Sequence, residues 1–310
     1  MPRIGNLPDP VPGPGEVLVA VEASGLNHAD LLQLRGQYPP PPGESQVPGL
    51  ECAGRVVGRD APGLWQPGAR VMALLGGGGH GSLVAIPTGQ LMPIPDNLSY
   101  TEAAAIPEAG LTAWTNLVAE GGLRAGETVL VTGATGGMGS FAVQLARELG
   151  ARVLASGRNP DRLQQLRELG VEEICLSGSD LAQQVREATA GRGVDLVFDL
   201  VGGPAINAHL GALRKGGRLV LIGLLGGSRV DVDLGAILGR HLRIVGSTLR
   251  PRSRVEKAHL VEAFAAFALP RLRDGRLRPV MERVLPFDRA PEAFKDLEKG
   301  GVLGKIVLEW

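Results

Sequence analysis

Between residues 128 and 247 the chain alternates short apolar runs with segments of helical spacing, and no other feature constrains its fold as strongly. The runs are almost continuously apolar, as expected for strands that are covered on both faces of a parallel sheet. Five helical segments separate six runs, which is the pattern of a doubly wound α/β fold. We therefore predict a six-stranded parallel sheet within residues 112–247. Its predicted strands are 128–133, 152–156, 173–177, 195–200, 218–223 and 243–247, and its helical segments are 139–151, 160–169, 180–190, 204–213 and 233–240.

The segments on either side of this alternation differ in character. Residues 1–111 are rich in glycine and proline, and their β-type runs predict a mostly β domain; these runs are 16–23, 52–59 and 70–75. Residues 248–310 contain helical patterns at 255–269 and 270–275 and end in the strand-like GKIVLEW. This tail is short for a separate domain, so we expect it to complete the first one. The parallel sheet is then an insertion.

A glycine-rich turn follows the first predicted strand and precedes the first predicted helix. Its sequence, GATGGMG, spans residues 133–139 and includes Gly136, Gly137, Met138 and Gly139. Backbone N–H groups at a helix start, with the positive end of the helix dipole, suit a pyrophosphate. The alternative is a tight strand-to-helix turn without a ligand. The position of the turn, after the first strand of an alternating unit, favours a dinucleotide.

The end of the second predicted strand distinguishes NAD from NADP. An acidic residue there binds the ribose 2′-hydroxyl and favours NAD. This chain has Ser156, Gly157 and Arg158 instead, with Arg162 one helical turn later. Because guanidinium groups bind phosphate in a bidentate manner, we predict that these residues bind the 2′-phosphate of NADPH. The alternative is that both arginines are solvated surface residues.

Composition excludes several classes of function. The formal net charge is zero and the arginines are scattered, which argues against a nucleic-acid partner. Two cysteines, Cys52 and Cys175, are too few for a disulfide framework or a four-cysteine zinc site. The opening MPRIGNLPDPVPGPG lacks the apolar core of a signal peptide, and no apolar run reaches membrane-spanning length. We expect a cytoplasmic protein without a membrane partner.

Five stretches carry a family resemblance, in the family's order: 25–43, 48–54, 92–114, 133–139 and 304–309. They resemble the zinc-free branch of the medium-chain dehydrogenase/reductase superfamily, the quinone oxidoreductases that include zeta-crystallin. Within this branch the stretches are most similar to the p53-inducible quinone oxidoreductases. The resemblance covers nearly the whole chain. It implies a six-stranded doubly wound parallel Rossmann sheet inserted in a mostly β GroES-like catalytic domain, 1–111 with 248–310.

The resemblance also implies that a metal site has been lost. Zinc-dependent members hold their catalytic metal with two cysteines and a histidine, and the matching positions here are Asn27, Leu50 and Glu108. Leucine cannot bind zinc, and an amide is a poor substitute for a thiolate or an imidazole. We therefore expect no metal, and we interpret Cys52 in PGLEC as a small buried apolar residue.

The family's cleft and cofactor positions carry over to single residues of this chain. Tyr38 is the expected catalytic donor to the substrate oxygen, since a phenol stacks on flat molecules and donates hydrogen bonds. Asn27 is a second donor or a neighbour of the nicotinamide, while Asp30 braces its loop through backbone hydrogen bonds. The remaining positions implied for the cofactor are Thr112, Val201, Gly202, Gly223, Leu224, Ser247 and Lys305.

These expectations indicate an NADPH-dependent, metal-independent reductase of quinones. A quinone stabilises negative charge by itself, so it needs little electrophilic assistance. A close alternative is a double-bond reductase of enones or enoyl thioesters. An alternative of another class is a protein that binds NADPH without turnover. The resemblance further implies a homodimer or higher homo-oligomer, with the last strand of the sheet, around 243–248, pairing edge to edge.

Overall fold

The computed structural model of the protein describes residues 3–58 and 63–310. The last residue of the predicted run 52–59 lies outside these ranges. The chain divides into two compact units, one formed by 1–111 with 249–310 and the other by 112–248. The predicted domains differ from these units only at residue 248.

The secondary-structure elements are numbered in chain order. The strands are β1 Glu16–Gly25, β2 Glu51–Val56, β3 Arg70–Leu74, β4 Leu83–Pro87, β5 Leu91–Pro93, β6 Thr128–Thr132, β7 Arg152–Gly157, β8 Glu173–Leu176, β9 Val194–Asp199, β10 Leu213–Leu221, β11 Arg243–Gly246, β12 Met281–Pro286 and β13 Lys305–Glu309. The α-helices are α1 His28–Leu34, α2 Tyr100–Ala103, α3 Pro107–Trp114, α4 Gly137–Glu148, α5 Pro160–Gln165, α6 Leu181–Ala188, α7 Ile206–Ala212, α8 Leu234–Arg240, α9 Arg254–Arg273 and α10 Ala290–Lys299.

The second unit contains the predicted six-stranded sheet, which is confirmed. Its order is β11-β10-β9-β6-β7-β8, and every neighbouring pair is parallel. Counted from β8, the strands follow the 3-2-1-4-5-6 order of dinucleotide-binding folds. In this order the succession of strands across the sheet reverses between the first and the fourth strand. These two strands are β6 and β9. Both are buried along their whole length, as their apolar sequences require.

The helices of this unit occur where the sequence predicts them, with shifted ends. Helix α4 begins at Gly137, two residues before the predicted start, so the glycine turn supplies its first turn. Predicted segment 160–169 is α5 followed by a 3₁₀ turn over Leu166–Leu169. Strand β10 begins at Leu213, five residues early, and its register shifts before Arg218.

The first unit is built on a mixed sheet in its described part. The strand order is β12-β13-β1-β2-β3-β5, and β4 pairs with β1. Strands β12 and β13 are parallel, and the other pairs are antiparallel. The C-terminal strand β13 therefore lies beside β1, as predicted for a tail that completes the first domain.

One predicted helix boundary is wrong. The sequence suggested a break at Pro270, but α9 runs without interruption from Arg254 to Arg273. Its buried face includes Ala268 before the proline and Leu272 after it. Tertiary packing on both sides of Pro270 thus overrides its local preference. Within the described residues, no helix is both long and apolar enough to span a membrane.

Candidate active site and cofactor-binding residues

A buried ion pair forms the centre of the first unit's polar site. Lys305 on β13 donates from Nζ to Glu51 Oε1 on β2 and, over 2.7 Å, to Asn27 Oδ1 before α1. Asn27 Nδ2 donates to the same Glu51 oxygen at 2.9 Å and to the Gly25 carbonyl at 3.3 Å. Lys305 is 5% exposed and Glu51 is 0% exposed, so water does not screen this pair. We call these three side chains the Lys–Glu–Asn cluster.

The second oxygen of Glu51 holds the start of α3. Glu51 Oε2 accepts the backbone N–H of Glu108 at 2.9 Å, in the first turn of this helix. A carboxylate is favoured at that end, where the N–H groups lack partners within the helix. Glu51 therefore ties together β2, β13, α1 and α3.

The residues at the family's metal position do not fit a zinc ion. Leu50 is buried and offers no ligand atom, while Asn27 and Glu51 already bond to the ammonium of Lys305. The described ranges contain no group of three or more histidine, cysteine or acidic residues placed to bind a metal. Cys52 is 1% exposed, and burial together with the Glu51 charge raises its pKa to about 12. Its thiol therefore stays protonated, as expected of an apolar residue.

Glu108 presents a protonated carboxyl beside this cluster. Burial, and then the Glu51 carboxylate, raise its pKa to about 8, although Lys305 opposes the shift. Its carboxyl makes no hydrogen bond to any residue that the structure describes. At neutral pH it is therefore mainly an uncharged group that is free to donate one.

Glu108→Gln is expected to flatten the dependence of stability on pH. Because the pKa of Glu108 is raised when the chain folds, its carboxyl stabilises the protein least at high pH. That stability is lost as the pH rises from the unfolded value near 4.5 to about 8. One unit of pKa is about 1.4 kcal/mol, and partial exposure reduces the total to roughly 1–2 kcal/mol. Thermal midpoints at about pH 5 and about pH 8 measure the difference.

Glu262→Gln, at an exposed position of α9, is the matched control for this measurement. It should leave the pH dependence as it is in the parent protein. An equal change in both variants would contradict the raised pKa of Glu108.

Tyr38 is held by a buried arginine. The Arg250 guanidinium donates to the carbonyls of Gly76 at 2.8 Å and Tyr38 at 2.9 Å, and to Gln33 Oε1 at 2.6 Å. It also lies 5.1 Å from the centroid of the Tyr38 ring. Burial, and then the charge of Glu108, raise the pKa of Tyr38, while Arg250 lowers it. The phenol is thus a neutral donor at physiological pH, and its hydroxyl has no partner in the described part of the chain.

Asp30 braces the loop near Tyr38, as predicted. Its carboxylate accepts the backbone N–H groups of Asn27 at 2.8 Å and Gly49 at 3.0 Å. His80 lies on its other side, with Nε2 3.4 Å from Asp30 Oδ2 and Nδ1 2.9 Å from Ser24 Oγ. The side chains of Asp30, His80 and Ser24 are all buried, so they fix the backbone on both sides of the Lys–Glu–Asn cluster.

The glycine turn of the second unit fits a pyrophosphate. A Cβ at Gly139 would lie 2.6 Å from Ala134 Cα and from the Gly133 oxygen, so only glycine allows this close packing. No side chain caps α4, whose preceding residue is Gly136. The N–H groups of its first turn, which includes Gly137 and Met138, are therefore open to an anion.

The predicted ribose-binding residues surround the end of β7. Ser156 is buried, and its hydroxyl lies 3.0 Å from that of Ser177 after β8. Arg158 is exposed and forms no ion pair with any residue of the described ranges. Arg162 is partly exposed, and its backbone N–H donates to Asn159 Oδ1, which caps α5. This edge of the sheet carries positive charge, as a 2′-phosphate requires.

A buried aspartate organises the carboxyl end of β9. Asp199 Oδ1 accepts the N–H groups of Val201 at 2.8 Å and Gly202 at 3.1 Å, and the Thr132 hydroxyl is 3.1 Å away. Asp199 Oδ2 lies 2.9 Å from His209 Nδ1. The pKa of Asp199 is lowered despite its burial, mainly by His209. Gly202 has a φ of 60°, which glycine adopts without strain. Two predicted cofactor residues are therefore held at the point where the sheet order reverses.

The other predicted cofactor residues follow the neighbouring strands. Gly223 and the exposed Leu224 come two and three residues after β10, and Ser247 comes directly after β11. Ser247 donates to Asn116 Oδ1, and Asn116 Nδ2 donates to the Thr112 carbonyl at 2.8 Å. The Thr112 hydroxyl is buried without a partner among the described residues. A bound ligand could supply the hydrogen-bond partner that this hydroxyl lacks.

Sequence reasoning missed three groups of functional interest. Asp199 and His209 form one, and an aspartate at the end of an apolar strand was its only local signal. Arg250 is the second, and no pattern around it indicates a contact with Tyr38. The third is Lys257, which lies on the apolar face of α9. A lysine at a core position of a helix was a signal that could have been noticed.

Two family models match the chain. The model described as "Alcohol dehydrogenase GroES-like domain" matches residues 13–96, and the one described as "Zinc-binding dehydrogenase" matches residues 137–265. A curated relative, the spectinabilin polyketide synthase system protein NorB of Streptomyces orinoci, is 38% identical over 95% of this chain and 13% of that protein. The chain thus spans only about an eighth of this relative's length.

Two solved structures resemble nearly the whole chain. The quinone oxidoreductase of Thermus thermophilus, solved also in complex with NADPH, is 37% identical with a TM-score of 0.84, covering 99% of this chain and 96% of that one. JamJ enoyl reductase, in its apo form, is 27% identical with a TM-score of 0.86, covering 98% and 94%. The parallel sheet, the glycine turn and these matches lead to one conclusion: the chain belongs to the medium-chain dehydrogenase/reductase family.

Proposed function

We propose that this protein is an NADPH-dependent reductase that transfers hydride to quinones without a metal ion. The observation that carries the proposal is the Lys–Glu–Asn cluster, whose internal bonds use the side chains around the family's metal position. Electrophilic help must then come from hydrogen bonds, which is enough for an acceptor that stabilises negative charge itself. Reduced NADPH, when bound, supplies the hydride. The Thermus thermophilus quinone oxidoreductase supports this choice.

The chain's own residues have separate roles in this proposal. The neutral Tyr38 phenol donates a hydrogen bond to the quinone oxygen, and Arg250 holds the phenol in place. Both Nδ2 hydrogens of Asn27 are engaged by Gly25 and Glu51, so we assign Asn27 a positioning role rather than that of a second donor. Lys305 belongs to the same cluster, and we propose that its main role is there rather than on the cofactor.

NADPH is the proposed cofactor for two reasons. The Thermus thermophilus relative was solved as an NADPH complex, and the exposed Arg158, which has no ion-pair partner among the described residues, suits the 2′-phosphate. The proposed cofactor residues are those predicted from the sequence except Lys305: Thr112, Gly136, Gly137, Met138, Gly139, Ser156, Arg158, Arg162, Val201, Gly202, Gly223, Leu224 and Ser247.

A double-bond reductase of enones or enoyl thioesters is the second candidate. Two likenesses favour it, one to an enoyl reductase and the other to a polyketide synthase protein. The same donors would serve, because hydride addition to an enone places negative charge on the carbonyl oxygen. The class of acceptor that the protein reduces faster distinguishes the two candidates.

A panel of acceptors tests the function. Oxidation of NADPH should be fastest with small ortho- and para-quinones and slower with 2-alkenals and enoyl-CoA, and EDTA should leave the rates unchanged. Faster turnover of the enoyl thioesters would establish the second candidate. Saturable NADPH binding with no turnover of any acceptor would refute both and indicate a binding protein.

Arg158→Ala tests the choice of cofactor. Loss of a guanidinium–phosphate contact should weaken NADPH binding by about 10-fold or more and change NADH binding little. Fluorescence titration of each dinucleotide measures both affinities. Arg167→Ala, on the same unit but outside the predicted site, is the control. Equal losses for NADPH and NADH would exclude a contact between Arg158 and the 2′-phosphate.

From the sequence we also propose a cytoplasmic location and a kinship with p53-inducible quinone oxidoreductases. We further propose a homodimer that pairs along β11. Strand β11 is an edge of the six-stranded sheet, and Ile244 on it is 45% exposed. An exposed apolar edge is favourable to cover. Sedimentation of the parent protein and of Ile244→Lys would test the assembly, since the charge should shift the dimer towards monomer.

A further inference from the structure

The buried face of α9 contains one residue that does not suit a core. Its members are Lys257, Val261, Phe264, Ala268 and Leu272, which recur every three or four positions. Four of the five are apolar. Lys257 is 2% exposed, so this lysine is as buried as the residues around it. A charged group in such a position lowers stability unless a partner compensates it.

Lys257 has no such partner in the described part of the chain. Its ammonium forms no hydrogen bond and no ion pair there, whereas the other buried lysine, Lys305, bonds to both Glu51 and Asn27. Burial lowers the pKa of Lys257, and the charges of Glu44 and Glu108 raise it. Neither Glu44 nor Glu108 forms a hydrogen bond or an ion pair with the ammonium. Its donors remain available.

Lys257 belongs to the same polar region as Tyr38. Arg250 acts on the pKa of both Tyr38 and Lys257, and Glu108 does the same. Helix α3, which carries Glu108, packs closely on α9, because a Cβ at Gly110 would lie 2.4 Å from Phe264 Cζ. Lys257 lies two helical turns before Phe264 on the same face. The hydroxyl of Tyr38, the carboxyl of Glu108 and the ammonium of Lys257 are thus donors of the first unit that share charged neighbours, and each lacks a partner in the described ranges.

We propose that Lys257 is a catalytic residue that binds the substrate oxygen on which negative charge develops and gives it a proton. The inference rests on the proposed function. A quinone that has accepted a hydride, and with it two electrons, becomes a phenolate. An N–H bond of the ammonium breaks, an O–H bond of the hydroquinone forms, and the neutral amine regains a proton from water. The same ammonium would bind the enolate oxygen of a reduced enone.

Binding of 4-nitrophenolate to the whole protein tests this role without turnover. This ion mimics the phenolate, and its visible absorption reports both binding and protonation. Its absorption spectrum should change when it binds the parent protein. We expect Lys257→Met to weaken this binding by about tenfold or more and to abolish the change in absorption. The thermal midpoint should be unchanged or higher, because an apolar side chain of similar shape replaces an unpaired buried charge. Lys257→Gln, which keeps polarity without charge, should lose binding in the same way.

Lys295→Met, at an exposed position of α10, is the control and should bind like the parent protein. Unchanged 4-nitrophenolate binding in both Lys257 variants would overturn the inference, and so would a lower thermal midpoint with binding intact. The proposed function fails separately. If the parent protein reduced no acceptor but bound 4-nitrophenolate through Lys257, the anion site would stand and the reductase would not.

Discussion

Lys305→Met is expected to lower the free energy of unfolding by about 3–5 kcal/mol, since it leaves a buried carboxylate without its cation. Glu51 is 0% exposed, so water cannot replace the lost ammonium. The same substitution removes the donor to Asn27 Oδ1, so the start of α1 loses a contact as well. Chemical denaturation followed by circular dichroism measures the change.

The double variant Lys305→Met with Glu51→Gln separates charge from packing. Glutamine keeps an oxygen for the N–H of Glu108 and removes the uncompensated charge, so much of the lost stability should return. Lys299→Met, at an exposed position of α10, should change stability little and serves as control. If the single variant were as stable as the parent protein, the Lys–Glu–Asn cluster would not hold the first unit together.

Asp199→Ala is expected to be comparably damaging in the second unit, with a loss of about 3–5 kcal/mol. The Val201 and Gly202 N–H groups, the Thr132 hydroxyl and His209 would all lose an acceptor. Each buried group left without a partner costs about 1–3 kcal/mol. Loosening of the Val201–Gly202 turn should also weaken NADPH binding by about tenfold.

Asp199→Asn is the conservative control, because its amide oxygen still accepts from Val201 and Gly202. This variant should lose only the part of the unfolding free energy that depends on the contact with His209. The lowered pKa of Asp199 also gives a sign to the pH effect. The stability that it provides is present above the ordinary pKa of about 3.9 and is lost as the pH falls through the lowered one. The deficit of Asp199→Ala should therefore shrink in acid, and a constant deficit would argue against an ionised Asp199.

The features that could be predicted from the sequence are those with local signals. Continuous apolar runs indicated the six parallel strands, and the spacing of Phe141 and Leu145 indicated α4. The order in which strands, helices and glycine turn follow one another was enough for the fold class. Candidate cofactor residues at strand ends agree with this fold class, since the carboxyl ends of parallel strands share one edge, but the individual residues were implied by the family resemblance. Local signals were weaker at boundaries, as the uninterrupted passage of α9 through Pro270 illustrates.

By itself, therefore, the sequence determined the alternation of strands and helices and the glycine turn, while its family resemblance implied that Asn27, Leu50 and Glu108 stand at the metal-ligand positions. Only the tertiary structure decided which partners those residues contact. Lys305 reaches Glu51 across 254 positions, and Arg250 reaches Tyr38 across 212. Such pairs leave no periodic trace in the chain, because they depend on which strands lie side by side and on burial that removes water from a charge. The same reason explains why the missing partner of Lys257 is apparent only once α9 is packed, although its place on the apolar face follows from the spacing.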